Sequence, residues 1–160
     1  MKTLSDVFEH TLQDIYYAER ALTKAIPKAQ KAAGTAELKE ALGNHLEETK
    51  EHVKTLERVF ETLGRDASGE KCPAIDGLIA ETSDVIDKSS ADARDAALIG
   101  CCQAIEHYEI SRYGSLREWA KVLGNTEAHD LLGTILDQEK AANNKLTHLA
   151  VSMVNATADA

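Results

Sequence analysis

The second predicted helix contains the segment His45-Leu46-Glu47-Glu48-Thr49-Lys50-Glu51-His52, in which two histidines flank a glutamate pair. A stripe with the three- and four-residue spacing of a helix face runs through it: Leu38, Leu42, His45, Thr49, His52, Leu56, Val59 and Leu63. His45 and His52 take positions where a packed helix has apolar side chains, and Glu48 lies at the edge of the stripe between them. Burying such groups costs free energy unless something pairs with them.

Imidazole and carboxylate groups that point together into a helix bundle are typical ligands of a first-row transition metal. The alternative for this segment alone is a single, partly hydrated polar layer. The other three long predicted helices favour the metal site over the polar layer, because the apolar stripe of each has glutamate near its centre. These residues are Glu19 in the first helix, Glu106 and Glu109 in the third, and Glu139 in the fourth.

The stripes predict an all-α protein with one domain over residues 1–160. Two prolines, few aromatic residues, 43% hydrophobic and 28% charged residues fit a helical globular chain. Helices are predicted over about 3–33, 36–63, 91–123 and 126–155, with a short helix over about 75–88. Gly34, Gly64 and Gly124 are expected to end the first, second and third long helices.

The connections between these helices predict a particular bundle. The first and last connections are tight, whereas the segment from residue 65 to about residue 90 is too long for a turn between antiparallel neighbours. A segment of that length suits a crossover that runs the length of the bundle, with the short helix inside it. The expected fold is a ferritin-like four-helix bundle with one long crossover between its second and third helices.

Charge and hydropathy limit the partners of the chain. A formal charge of −9 repels phosphate backbones, so we expect no direct binding of nucleic acid. No apolar run approaches the roughly 20 residues that a membrane span needs, so no membrane association is expected. The first residues enter an amphipathic helix without the pattern of a signal peptide, which predicts a cytoplasmic location.

The central glutamates predict a dinuclear metal centre. Midpoints of antiparallel helices of equal length coincide in height, so Glu19, Glu48, Glu106 and Glu139 should meet in one buried layer. Without cations these carboxylates would repel each other and take up protons. Two iron or manganese ions would neutralise the layer, as in carboxylate-bridged helix bundles. The remaining ligands would come from His45 or His52 and from Glu109; at the usual histidine position after Glu139 the chain has Asn143.

Four short motifs also resemble those of a known family: Leu12-Gln13-Asp14-Ile15-Tyr16-Tyr17-Ala18-Glu19, His45-Leu46-Glu47-Glu48-Thr49, Ala104-Ile105-Glu106-His107-Tyr108-Glu109 and Glu139-Lys140-Ala141. Together they are similar to the signatures of the YciE/YciF-like bacterial stress proteins, over nearly the whole chain. The resemblance implies a ferritin-like fold, a homodimer and a link to bacterial stress response. Glu106-x-x-Glu109 is also similar to the third-helix motif of rubrerythrins.

Two functions are compatible with these patterns. In the first, the chain binds two iron or manganese ions and reacts with peroxide or oxygen, as a ferroxidase, a peroxidase or a manganese-catalase-like oxidoreductase. In the second, it is a structural or interaction protein of the stress response whose metal site is vestigial or only stabilising. Metal ions and a second copy of the chain are the expected partners.

Overall fold

The computed structural model describes residues 1–158, in which helices are joined by short connections and one longer non-helical segment over residues 65–72. The main helices are α1 (Leu4–Ala32), α2 (Ala36–Thr62), α3 (Pro73–Lys88), α4 (Ala91–Val122) and α5 (Thr126–Leu149). A π-helical segment (Ala150–Val154) and one further turn, α6 (Asn155–Thr157), follow. No strand occurs within residues 1–158, which confirms the all-α prediction. No helix in this range is long and apolar enough to cross a membrane.

Side-chain caps fix where α1, α4 and α5 begin. At the start of α1 the Asp6 N–H donates to Thr3 Oγ1 over 3.1 Å, and the Thr3 N–H donates back to the Asp6 carboxylate over 3.1 Å. This reciprocal pair is a capping box. Ser90 accepts from the N–H of Ala93 at the start of α4, and Asn125 caps α5 in the same way. Polar residues between the apolar stripes thus mark the helix starts.

Two glycines end α2 and α4 by the same geometry. Gly64 and Gly124 adopt left-handed backbone angles, with φ of 65° and 76°. In each case the N–H of the following residue bonds back to the helix, from Arg65 to the Phe60 carbonyl and from Asn125 to the Ala120 carbonyl. These are Schellman motifs, for which glycine is favoured because it has no Cβ.

The long helices pack as two hairpins. α1 packs against α2 and α4 against α5, and the hairpins meet where α1 contacts α4 and α2 contacts α5. α3 lies outside, against α1 and α4. The interior is filled by apolar residues from all five helices, including Phe8, Leu38, Ile75, Leu116 and Leu132. Burial of these stripes supplies most of the free energy that holds the helices together.

Buried polar contacts join the two hairpins at both ends. Asp95 near the start of α4 accepts from the N–H groups of Gly34 and Thr35 over 2.6 and 2.8 Å, and from the Thr35 hydroxyl over 2.8 Å. Gly34 is therefore a donor to Asp95, and it lacks the left-handed conformation of a glycine cap. At the other end Asn125 Nδ2 donates to Thr62 Oγ1 over 2.8 Å.

The observed boundaries differ from the expected ones in two places. α3 begins at Pro73, earlier than the expected residue 75, because proline suits the first turn of a helix, where its missing N–H is not needed. The last helix was expected to continue to about residue 155, but it changes to π-helical winding at Ala150. Ala150 and Val154 of this segment are buried, and the segment packs against α4. The predicted domain also included Asp159 and Ala160, which lie outside the described residues.

Candidate metal centre

Six ionisable side chains from four helices converge inside the protein. α1 supplies one, α2 two, α4 two and α5 one: Glu19, His45, His52, Glu106, Glu109 and Glu139. Glu19 and Glu139 are fully buried, and Glu106, Glu109 and His52 are at most 2% exposed. His45 is the most accessible, with 12% of its side chain exposed. The apolar stripes of the sequence place these groups at the same level of the molecule.

The first ligand group, which we call the cavity-side group, consists of His45, Glu106, Glu109 and Glu139. One ligand atom from each residue lies within 4.8 Å of all the others. His45 Nε2 is 3.2 Å from Glu106 Oε1. Neither carboxylate oxygen of Glu109 has a hydrogen-bond partner among the described residues. One nitrogen and several carboxylate oxygens are a donor set that suits iron or manganese.

The second ligand group, which we call the enclosed group, consists of Glu19, His52 and Glu139. Its ligand atoms also lie within 4.8 Å of one another. His52 Nδ1 is 3.3 Å from Glu19 Oε1 and 3.1 Å from Glu139 Oε1. Glu139 belongs to both groups, so its carboxylate lies where it can bridge two ions.

Neighbouring side chains orient the enclosed group. The Tyr113 hydroxyl donates a short hydrogen bond to Glu19 Oε1. His52 Nε2 is 3.0 Å from Gln138 Oε1, an arrangement in which Nε2–H donates to the amide oxygen and Nδ1 faces the two carboxylates. Such outer partners fix the ring orientation and increase the basicity of a ligand.

The site contains most of the unsatisfied buried polar atoms of residues 1–158. Nine buried side-chain nitrogen or oxygen atoms in this range have no hydrogen-bond partner, and eight of them belong to the six converging residues. The ninth is Arg94 Nε. Each unsatisfied buried group costs about 1–3 kcal/mol, and more if it is charged. Carboxylate oxygens and imidazole nitrogens are also ligand atoms, so the residues present fit a pair of transition-metal ions.

Burial and mutual repulsion shift the pKa values of the carboxyl groups upward. Burial is the main cause for Glu106, whose pKa is raised to about 9, and the nearby Glu139 adds to the shift. Burial likewise raises the pKa of Glu19, and it raises that of Glu109 well above the usual range. In the metal-free protein these groups therefore tend to hold protons.

Neighbouring carboxylates raise the pKa values of both histidines. Burial opposes the charge on His45, but the nearby carboxylates of Glu48 and Glu106 raise its pKa to about 9. Burial also opposes the charge on His52, yet its contacts with Glu139 and Glu19 raise its pKa to about 10. Protonated imidazoles thus neutralise part of the buried negative charge when no ion is bound.

Glu48 does not join the other predicted ligands. Its side chain is 47% exposed, and its carboxylate lies 3.7 Å from His45 Nδ1. Neither ligand group of the described residues includes it. The nearby imidazole of His45 lowers the pKa of Glu48, so Glu48 stays ionised at the edge of the site. Its place at the border of the α2 stripe explains this, because a border residue can face solvent.

Other polar side chains surround the candidate ligands. The Tyr113 hydroxyl contacts the carboxylate of Glu19. Asn143 accepts a hydrogen bond from Gln103 over 3.3 Å. Sequence reasoning missed Gln138, the partner of His52. Gln138 precedes Glu139 and therefore lies off the buried stripe, where the sequence offers no signal for its role.

The chain is similar over nearly its full length to one family of proteins. A family model described as a domain of unknown function, DUF892, matches residues 3–159. The chain belongs to the DUF892 family. Protein YciF of Escherichia coli (strain K12) is 42% identical to this chain over 161 residues, which cover 99% of this chain and 97% of YciF. The resemblance to YciF-like proteins is therefore confirmed.

Solved structures also resemble this chain. The crystal structure of the E. coli stress protein YciF matches with a TM-score of 0.93 and 43% identity, covering 97% of this chain and 99% of that one. A Rhodopseudomonas palustris protein is described as "YcfI, a putative structural protein". It matches with a TM-score of 0.89 and 46% identity, covering 91% of this chain and 94% of that one. A Xanthomonas campestris pv. campestris protein shares the fold, with a TM-score of 0.79 at 22% identity over 98% and 97% of the two chains.

Proposed function

We propose that this DUF892 protein binds two iron or manganese ions in a dinuclear carboxylate centre and acts in bacterial stress response. The similarity to YciF, which is described as a stress protein, supports the second part. We further propose that α1, α2, α4 and α5 form a ferritin-like bundle with α3 in its crossover. The cytoplasm as its location and a homodimer as its assembly belong to the same proposal.

One observation supports the metal centre above the others. Eight buried ligand atoms without hydrogen-bond partners in residues 1–158 lie in two groups that share Glu139. A structural polar layer would pair its donors with its acceptors, because unsatisfied buried groups destabilise the fold. Metal ions would use the same atoms as ligands and neutralise the excess of carboxylates.

The residues have distinct roles in this proposal. His45, Glu106 and Glu109 would hold one ion, Glu19 and His52 the other, and Glu139 would bridge them. Two such ions, when bound, supply two electrons for the reduction of peroxide or oxygen. Tyr113 holds the carboxylate of Glu19 in place, and Gln138 holds the ring of His52. The surrounding apolar core excludes water, which strengthens the electrostatic interactions within the site.

A structural role is the second candidate function. The Rhodopseudomonas palustris relative, which is 46% identical to this chain, is described as "a putative structural protein". Under this alternative, bound ions stabilise the helices without turning over a substrate. Oligomeric state and partners would then be the same in the metal-free and metal-loaded protein.

Elemental analysis distinguishes these candidates. The protein is purified without chelators, analysed, and analysed again after anaerobic loading with Fe(II). The redox centre predicts close to two ions per chain and their oxidation when peroxide is added. Two ions without oxidation would support the stabilising role. No stoichiometric binding, or unchanged binding after both Glu106 and Glu139 are replaced with glutamine, would contradict the dinuclear centre.

A further inference from the structure

An apolar cavity of about 300 Å³ adjoins the candidate metal centre. Side chains from all five helices form its wall, among them Leu22, Leu42, Ile86, Ile105 and Leu146. The volume is about twice that of the roughly 150 Å³ apolar cavity that accommodates benzene, and it falls in the range of small-molecule sites. His45 and Glu106 also belong to this wall, so the cavity extends to the cavity-side group.

A surface groove adjoins this cavity between α1 and α3. Cavity and groove share three lining residues, Lys24, Ala25 and Ile79. The groove is further lined by Arg20, Tyr17 and Asp76. Groove and cavity therefore adjoin at Ala25, where a ligand that reached from solvent into the interior would pass.

Three cationic side chains follow the same face of α1 at this entrance. Arg20, Lys24 and Lys28 are spaced by four residues, which places them one above the other on a helix. Arg20 lines the groove, Lys28 the cavity and Lys24 both. All three are exposed, and none forms an ion pair with a carboxylate within residues 1–158. We call these three residues the cation row.

The carboxylates near the cation row are engaged elsewhere or lie deeper. Asp76, which also lines the groove, accepts from the Tyr17 hydroxyl over 2.9 Å and lies 3.9 Å from Lys71 Nζ. Glu48 and Glu106, which line the cavity itself, both contact His45. Arg20 also lies over the Tyr16 ring, 5.6 Å from its centroid. The row places three positive charges side by side on a chain whose net charge is −9. It complements an anionic group at the entrance.

We propose that this entrance and cavity bind a medium-chain alkyl carboxylate. The head group lies at the cation row, and the hydrocarbon chain occupies the cavity with its end beside His45 and Glu106. Burial of one CH₂ group contributes about 0.8 kcal/mol to binding, so each methylene that leaves water should raise the affinity about fourfold. Binding needs no metal ion, so the proposal goes beyond the metal centre and does not depend on it.

Calorimetric titration of the metal-free full-length protein tests this binding directly. Hexanoate, octanoate and decanoate are the probes, and decyltrimethylammonium reverses the head-group charge. We expect saturable binding of about one decanoate per chain, with affinity rising about fourfold per methylene along the series. Decyltrimethylammonium should bind at least about tenfold more weakly, because it meets cations of its own sign. No saturable binding, or equal binding of the cationic probe, would overturn the proposal.

Two variants locate the binding site. Ala25→Phe fills the passage between groove and cavity, so it should abolish decanoate binding while the circular dichroism spectrum stays helical. The surface double variant Lys24→Glu, Lys28→Glu should weaken decanoate binding at least about tenfold, whereas Lys121→Glu on α4 should leave it unchanged. Unchanged affinity in the double variant would overturn the assigned head-group site, even if Ala25→Phe failed to fold. Metal content, measured separately on the same preparations, tests the dinuclear centre independently.

Discussion

The enclosed group and the cavity-side group share Glu139 but differ in their surroundings. In the enclosed group the protein itself supplies partners, since Tyr113 bonds Glu19 and Gln138 bonds His52. In the cavity-side group Glu109 has no hydrogen-bond partner among the described residues. His45 is 12% exposed, and it lines the cavity.

This difference indicates how the two positions depend on an ion. In the enclosed group, hydrogen bonds with Tyr113 and Gln138 orient Glu19 and His52 before an ion binds, so these two residues need little reorganisation. The cavity-side group relies on protons or an ion to offset its carboxylates. We therefore expect the enclosed position to bind its ion more tightly, and the cavity-side position to exchange its ion with solvent more rapidly.

The largest expected effect comes from the residue that both groups share. Glu139→Gln removes the charge of the bridging ligand, so metal content should fall from close to two ions per chain to less than one. The loss in affinity should exceed the roughly 10- to 100-fold that follows loss of an outer partner. Asp137→Asn, on the same helix with a side chain that is 79% exposed, is the matched control and should keep both ions. Equal metal content in the two variants would refute the shared position.

A substitution at Glu109 should separate the two groups. Glu109→Met should leave about one ion per chain, in the enclosed position. In the metal-free protein the same change should raise the free energy of unfolding by about 1–3 kcal/mol, because an unsatisfied buried group is removed. Denaturant titration and elemental analysis measure both effects, with Glu118→Gln on exposed α4 surface as the control. Loss of both ions would show that the positions are not independent.

The pH dependence of metal affinity should reflect the protons held in the site. Glu106 and His45 have pKa values raised to about 9, so below that pH an incoming ion must displace their protons. Affinity should therefore rise between pH 7 and 9, by about tenfold per pH unit for each displaced proton. Competition with a chromophoric chelator for Mn(II) measures this rise. A flat profile would mean that the metal-free ligands are already deprotonated.

The smallest expected effect concerns the partner of Glu19. Tyr113→Phe removes one hydrogen bond to a fully buried carboxylate, which should lower the free energy of unfolding by about 1–3 kcal/mol. Tyr17→Phe also removes a tyrosine–carboxylate bond, but its acceptor Asp76 is partly exposed, so the loss should be smaller. Urea unfolding of the metal-free variants gives both values. Equal losses of unfolding free energy in the two variants would show that burial of Glu19 does not strengthen its hydrogen bond with Tyr113.

Apolar periodicity was enough to predict the helices and most of the converging residues. Glu19, Glu106, Glu109, Glu139, His45 and His52 lie within apolar stripes, and the structure brings all six together. Glu48 lies at the border of its stripe, where periodicity does not decide between core and solvent. Its exposure depends on how α2 is rotated against its neighbours, which is a property of the packed molecule.

The cavity and the role of Gln138 could not have been predicted from the sequence. A void forms where side chains from five helices fail to fill the space between them, so no single stripe indicates it. Gln138 reaches His52 from the neighbouring helix, across 86 positions of the chain. The change to π-helical winding at Ala150 also lacks a sequence signal, because the apolar stripe continues through it.

The contacts of Asp95 have a consequence for synthesis of the chain. The turn between α1 and α2 donates two backbone N–H groups and one hydroxyl to a carboxylate that lies about 60 positions later in the sequence. While the first hairpin leaves the ribosome, only water can satisfy these donors. The turn can form these hydrogen bonds only after Asp95 has been translated. The first hairpin therefore cannot reach its native structure before the second hairpin has begun to emerge.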